Sequence, residues 1–206
     1  MSQSKLSALL RAGDTDGFHA LSRDLEADQL DLTGETFEGT FLTGVDLTGF
    51  NLTNTEWGDC HLTDVTLSEA DLTGAYFHGC AFVDCKISEA NLDGVCIEGS
   101  VVRGSTIAHC DLTGTEFDST QFVDTAFVAG IWADLAWSGL TFAGGTFTDI
   151  EDTSGELSGV SFKGSTFVDV ELLGVKARSC RAQECNLENS ELAPGFVTRK
   201  VRRRTM

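Results

Sequence analysis

Basic residues are scarce in this chain: 14 Lys and Arg stand against 32 Asp and Glu among 206 residues, a formal net charge of −18. Nonspecific attachment to nucleic acid or anionic lipid rests on Lys and Arg neutralising phosphates, so the balance argues against both. A basic partner, or one that normally holds DNA, suits it better. Long apolar runs are missing too, since no stretch approaches 18 continuous apolar residues, and a membrane-spanning helix is not expected. The opening MSQSKLSALLRAGDTDG has too short an apolar run and too early an Asp for a secretory signal, so the expected location is cytoplasmic. The seven cysteines are odd in number and follow no disulfide or metal spacing; in a reducing compartment they are expected to be free thiols. Neither GxSxG nor a phosphate-cradling glycine loop occurs. The four histidines, His19, His61, His78 and His109, show no carboxylate or Cys that completes a metal site, and they read as solvated surface residues. No metal and no cofactor is expected.

What is present is a rhythm. Counting in fives from Leu32 to Leu192 gives 33 positions, 30 of them Leu, Phe, Trp, Ile or Val, with no slip of register. The exceptions are Asp152, Ala177 and Ala182. All three Trp and ten of the fourteen Phe sit on this set. Two residues before each large residue stands a mostly small one, and six of the seven cysteines, all but Cys96, occupy that slot as core filler. A period of five spreads residues around a helix and alternates the faces of a flat strand. What remains is a chain that turns a corner every five residues, with the small and the large residue inward and three residues outward. A Gly or small polar residue often stands two after the large one, as at Gly34, Gly39, Gly44 and Gly49, where a turn favours glycine.

The units DLTGE, DLTGF, NLTNT, DLTGA, NLDGV and DLTGT resemble the pentapeptide-repeat family. That resemblance covers about 165 of 206 residues and implies a right-handed quadrilateral parallel β-helix, an all-β solenoid with 20 residues per coil and about eight coils. At the ~4.8 Å strand spacing the rod should be roughly 40 Å long.

Both ends differ from the repeats. Residues 1–30 read as an N-terminal cap of two short helices broken near Gly13, with Leu6, Leu9, Leu10, Phe18, Leu21 and Leu25 as apolar stripes. Residues 31–195 are the repeat rod. Pro194 and Gly195 stop it, and 196–206 is a basic C-terminal tail: eight basic against three acidic residues from Lys176 onward, six against twenty-nine before it. The tail is expected to be solvated and disordered, or else an anchor on nucleic acid or a strap on an acidic surface. Asp152 falls on a core position, where an unpaired carboxylate would be costly, so a local bulge is expected there.

Assigned to sides, the acids gather on two neighbouring ones, while a third side presents Phe41, Val83, Val101, Arg103 and Val123. One acidic side carries Asp31, Asp71, Asp93, Asp111, Asp134, Glu151, Glu171 and Glu191; the next carries Glu38, Glu56, Asp59, Glu98, Glu116, Asp118 and Glu156. Pairs such as Glu116 and Asp118 suggest acid–base chemistry, but a convex rod offers no cleft to exclude water, and an enzyme is not expected. The expectation is a protein-binding rod without small-molecule substrate, membrane contact or direct nucleic-acid contact through the rod. The family resemblance implies more: several whole-chain members of this size are similar to rods of DNA and bind DNA gyrase or topoisomerase IV, relieving poisoning by quinolones or peptide toxins. On that reading the partner-binding residues are Glu98, Glu116, Asp118, Asp111 and Asp93, with Glu56 and Asp59 on the same stripe. The alternatives are a scaffold for another protein and an adaptor anchored by its basic tail. Quinolone-resistance members dimerise through an apolar C-terminal helix; this tail has none, which leaves dimerisation open.

Overall fold

Each five-residue unit forms one short side: about three residues of extended chain with the middle one inward, then a corner. Thr36–Glu38 shows the pattern, with Phe37 buried between two exposed neighbours. The corner residue lies two after the large one in the left-handed region, at Gly34 (φ 69°) but also at Asn54 (55°), Asp59 (52°) and Asp84 (54°). Asn and Asp tolerate that region best among residues with a side chain. The computed structural model describes residues 2–150 and 153–205; Glu151 and Asp152, and with them the expected bulge, lie outside the described residues.

Pairing repeats every 20 residues, as in Phe37↔Trp57↔Phe77, and all pairs are parallel. The result is a four-sided parallel β-solenoid of about eight coils. The first side is a line of single bridges, from Asp31↔Asn51 through Asp111↔Ile131. The second is an eight-stranded sheet from Thr36–Glu38 to Val175–Arg178, the third a nine-stranded sheet from Phe41–Thr43 to Phe196–Arg199, and the fourth a seven-stranded sheet from Lys86–Ser88 to Arg202–Arg204.

The large residues of every coil meet on the axis. Outside Asp152, all of the in-register positions are buried except Ala177 and Leu192. Rings stack rung on rung: Phe127, Phe147 and Phe167 at 5.3 and 4.7 Å, and Phe122, Phe142 and Phe162 at 4.8 Å each. Each such pair contributes ~0.5–1.5 kcal/mol beyond its buried area. Small inward residues serve the polar edges of large ones, since Trp57 and Trp137 donate their indole N–H to Thr55 and Thr115 at 2.9 and 3.3 Å. The cysteines are all free thiols. Cys85, Cys110 and Cys180 donate to backbone carbonyls, and burial pushes their thiols up, which keeps them protonated and unreactive.

A solenoid leaves the backbone groups of its first coil without a neighbour, and here two helices supply one. In α1 (Ser2–Arg11) and α2 (Thr15–Ser22), Leu6, Leu10 and Phe18 are buried against the first coil. Asp14 caps α2 by accepting from Gly17 N at 2.9 Å. Cap side chains then meet the open edge: Gln3 donates to Thr33 O, Arg11 to Thr36 O, Thr15 to Thr43 O, and His19 Nε2 accepts from Asp46 N. The lid is specific rather than only apolar.

At the other end the chain does not leave the rod after Gly195. Phe196–Arg199 pairs with Cys180–Gln183, and Arg202–Arg204 pairs with Asn186–Glu188. The expected disordered tail is therefore corrected to a last coil. Its pairing offset is 16 residues rather than 20, because the second side is skipped. Ala177 and Ala182 explain the shortcut: the backbone of Gly195 closes onto Ala177, where a Cβ would stand 2.4 Å from the Ala177 carbonyl oxygen, and the ring of Phe196 sits 5.8 Å from that of Phe162. Lys200 reaches back to Glu184 at 3.2 Å and holds that carboxyl below its ordinary value.

Candidate partner-binding face

The register decides which acids are neighbours. Asp118 stands opposite Glu98 and Glu116 opposite Cys96 on the second side, while Asp111 stands opposite Asn91 on the adjoining first side. Asp93 follows Asn91 by two residues, so Asp93, Glu98, Asp111, Glu116 and Asp118 share two successive rungs of two adjoining sides. Glu56 and Asp59 do not join them. Glu56 pairs with Tyr76 and lies two rungs nearer the cap than Glu98, and Asp59 sits at a corner with its carboxylate over Gly79.

Several of these carboxylates already hold local partners. Asp111 Oδ1 accepts from Thr113 N at 2.9 Å and from its hydroxyl at 2.5 Å. The same turn recurs at Asp31, Asp46 and Asp71, so the Asp of each DLT unit is first of all a turn-former whose charge stays outward. Asp118 Oδ2 accepts from Ser119 Oγ at 3.1 Å. Glu98 Oε2 accepts from the Tyr76 hydroxyl at 2.7 Å, and that bond together with burial beside the carboxylate pushes the phenol up to about 12.

Sequence reasoning missed one convergence. His78 Nε2 lies 3.9 Å from Glu38 Oε1 and 3.8 Å from Glu56 Oε1, so the expectation that no carboxylate or Cys completes a donor set around a histidine is corrected at His78. The five-residue count hid this. Counted by 20, residues 38, 58 and 78 fall in one column, and the middle one is glycine. The third side carries Phe41, which is 68% exposed and lies flat on His61 at 4.6 Å. The basic residues collect at the last coils, with Arg181 and Arg199 on the third side and Arg202 and Arg204 on the fourth. No helix among the described residues is long and apolar enough to cross a membrane.

A stack of five-residue sides with an apolar axis and an acidic stripe defines a repeat rod whose outward positions are free to vary. Residues 60–99 match the model of the pentapeptide-repeat family in eight copies, and the five-residue register of those units runs on through the neighbouring coils. Among solved structures it is similar to full-length QnrB1, a plasmid-mediated fluoroquinolone resistance protein, at 20% identity over 84% of this chain and 85% of that one, with a TM-score of 0.41. It is also similar to HetL, a pentapeptide repeat protein involved in heterocyst differentiation regulation from the cyanobacterium Nostoc, at 13% identity over 82% and 87%, with a TM-score of 0.36. No curated protein matches it. Pentapeptide-repeat solenoids are generally structural or interaction proteins.

Proposed function

We propose that this protein is a non-enzymatic binding rod whose acidic first and second sides dock in a basic groove that otherwise holds duplex DNA. The family resemblance makes DNA gyrase and topoisomerase IV the specific candidates, with modulation or protection from poisons as the outcome and the cytoplasm as the place of action. The observation that carries the reading is the pairing of Asp118 with Glu98. Like charges directly opposite on neighbouring strands cost stability, and Ala136 and Ser138 on the next rung serve the fold without charge. Carboxylates at a rung spacing of ~4.8 Å on a stiff rod present a dense negative line to Lys and Arg, and the field steers the encounter.

The test is supercoiling by purified gyrase with this protein titrated in, with and without a quinolone, at two salt concentrations. Inhibition or rescue that fades with salt and is weakened by Glu116→Gln with Asp118→Asn supports the reading. No effect at micromolar protein on gyrases from several sources overturns it and leaves a scaffold for another protein. The basic last coil favours a second reading, an adaptor that grips nucleic acid end-on. Its test is Arg202→Glu with Arg204→Glu: binding lost with these and kept with Glu116→Gln assigns the grip to the end of the rod.

A further inference from the structure

We propose that Glu38, Glu56 and His78 form a binding site for one divalent transition-metal ion of the zinc, cobalt or nickel kind. One oxygen from each glutamate and one imidazole nitrogen all lie within 4.8 Å of one another. Ligands at ~2.0–2.2 Å around a tetrahedral ion stand about 3.4 Å apart. The 3.8 and 3.9 Å separations from His78 Nε2 are therefore closed by small rotations of two half-exposed glutamates.

The convergence has a built cause. Glu38, Gly58 and His78 follow one another on three rungs of a single column. The outer two are roughly 9.6 Å apart at the strand spacing, too far to meet across an ordinary side chain. Gly58 leaves a notch between them, and the Glu38 carboxylate lies down into it: a Cβ at that position would stand 2.4 Å from Glu38 Oε2. Glu56 flanks the notch from the rung of Gly58 itself. The imidazole is braced by the Tyr76 ring at 5.1 Å, which Glu98 in turn holds through the phenol. Ligands on a rigid ladder with a braced histidine are the arrangement that metal binding favours. Two carboxylates and one imidazole are a borderline donor set, which selects first-row ions over calcium or a thiol-seeking ion. Glu98 and Asp118 continue the same column on the next two rungs, but Glu98 is engaged by the Tyr76 hydroxyl and no glycine opens a notch between them. The site stands independently of any topoisomerase partner.

The full-length protein, stripped with EDTA and dialysed, is titrated with Co²⁺ followed by visible absorbance and with Zn²⁺ by calorimetry. Expected are one ion per chain, a saturable cobalt spectrum and a raised Tm. His78→Ala and Glu56→Gln should each weaken binding by more than about 10-fold, the smaller end of what loss of even a supporting partner costs. Glu116→Gln should leave it unchanged, and circular dichroism verifies the fold of each variant. Equal affinity in His78→Ala, or no saturation at millimolar ion, would overturn the proposal and reduce the cluster to an ion pair on an acidic surface.

Discussion

Tyr76 is the chain's one tyrosine, so the change in tyrosinate absorbance on raising pH reports its ionisation alone, the three Trp not titrating. The neutral phenol donates to the Glu98 carboxylate, and its folded pKa of about 12 lies above the ordinary value of 10. A raised folded pKa means the contribution is fully present below about pH 10 and lost as pH climbs through 12. We expect a tyrosinate midpoint near 12 in the folded rod and a fall toward 10 in Glu98→Ala, with near-ultraviolet circular dichroism recorded alongside. A midpoint near 10 in both would remove the Tyr76–Glu98 bond from solution. Gly155 answers to a different constraint: its φ is 102°, and a Cβ would stand 2.2 Å from Leu135 N. Gly155→Ala should therefore cost more than about 1 kcal/mol in urea unfolding, by strain and by parting two rungs.

The last coil shows what a period can and cannot say about an element. Leu, Phe and Trp at every fifth place announced the coils, and the stripes Leu6–Leu10 and Phe18 announced the helices of the cap, because both patterns follow from which atoms must leave water. The final turn was illegible. Its offset of 16 aligns Thr198 and Arg203 with the inward Ala182 and Leu187, where five-counting expects Val197 and Arg202, yet both are exposed, and its core contacts come from Phe196 and Val201, outside the register. The two alanines that interrupt the ladder were the available signal. Residues 177 and 182 are small because the chain folds back over them, which a single sequence shows only as a missing side chain. A counterintuitive outcome follows: Ala182→Phe, which restores the large inward residue of the repeat, should lower stability. Ala182 is fully buried, its neighbour in the column is Phe162, and the Phe196 ring closes the end above it. Overpacking of this kind costs ~1–3 kcal/mol, and Phe196→Ala in the same chain should recover part of it. Equal or higher Tm for Ala182→Phe would mean that Phe196 does not close the end of the rod. The Glu38–Glu56–His78 cluster was only partly legible: the 20-residue coil implied by the family resemblance puts residues 38, 58 and 78 in one column, but that the Glu38 carboxylate lies down over Gly58 toward His78 is a side-chain conformation that no period supplies.

At the scale of the molecule the charge is divided along the axis: six basic against twenty-nine acidic residues up to Val175, eight against three from Lys176 on. At physiological salt the Debye length is about 8 Å, so the basic end and the acidic middle, several rungs apart, act as separate surfaces. Ions then have two opposite effects on one stripe. They screen Glu98 from Asp118 and the acids of neighbouring rungs from one another, which favours the folded rod. They also screen the stripe from a basic groove, which weakens association. Glu98→Gln with Asp118→Asn should act as salt does, raising stability by a few tenths to about 1 kcal/mol in urea unfolding at low ionic strength while weakening partner binding. At high salt the stability gain should vanish, because the repulsion it removes is already screened. If the double variant is less stable than the parent at low salt, the carboxylates hold the coils together through their hydrogen bonds, and the stripe loses its standing as a surface kept for a partner at the expense of the fold.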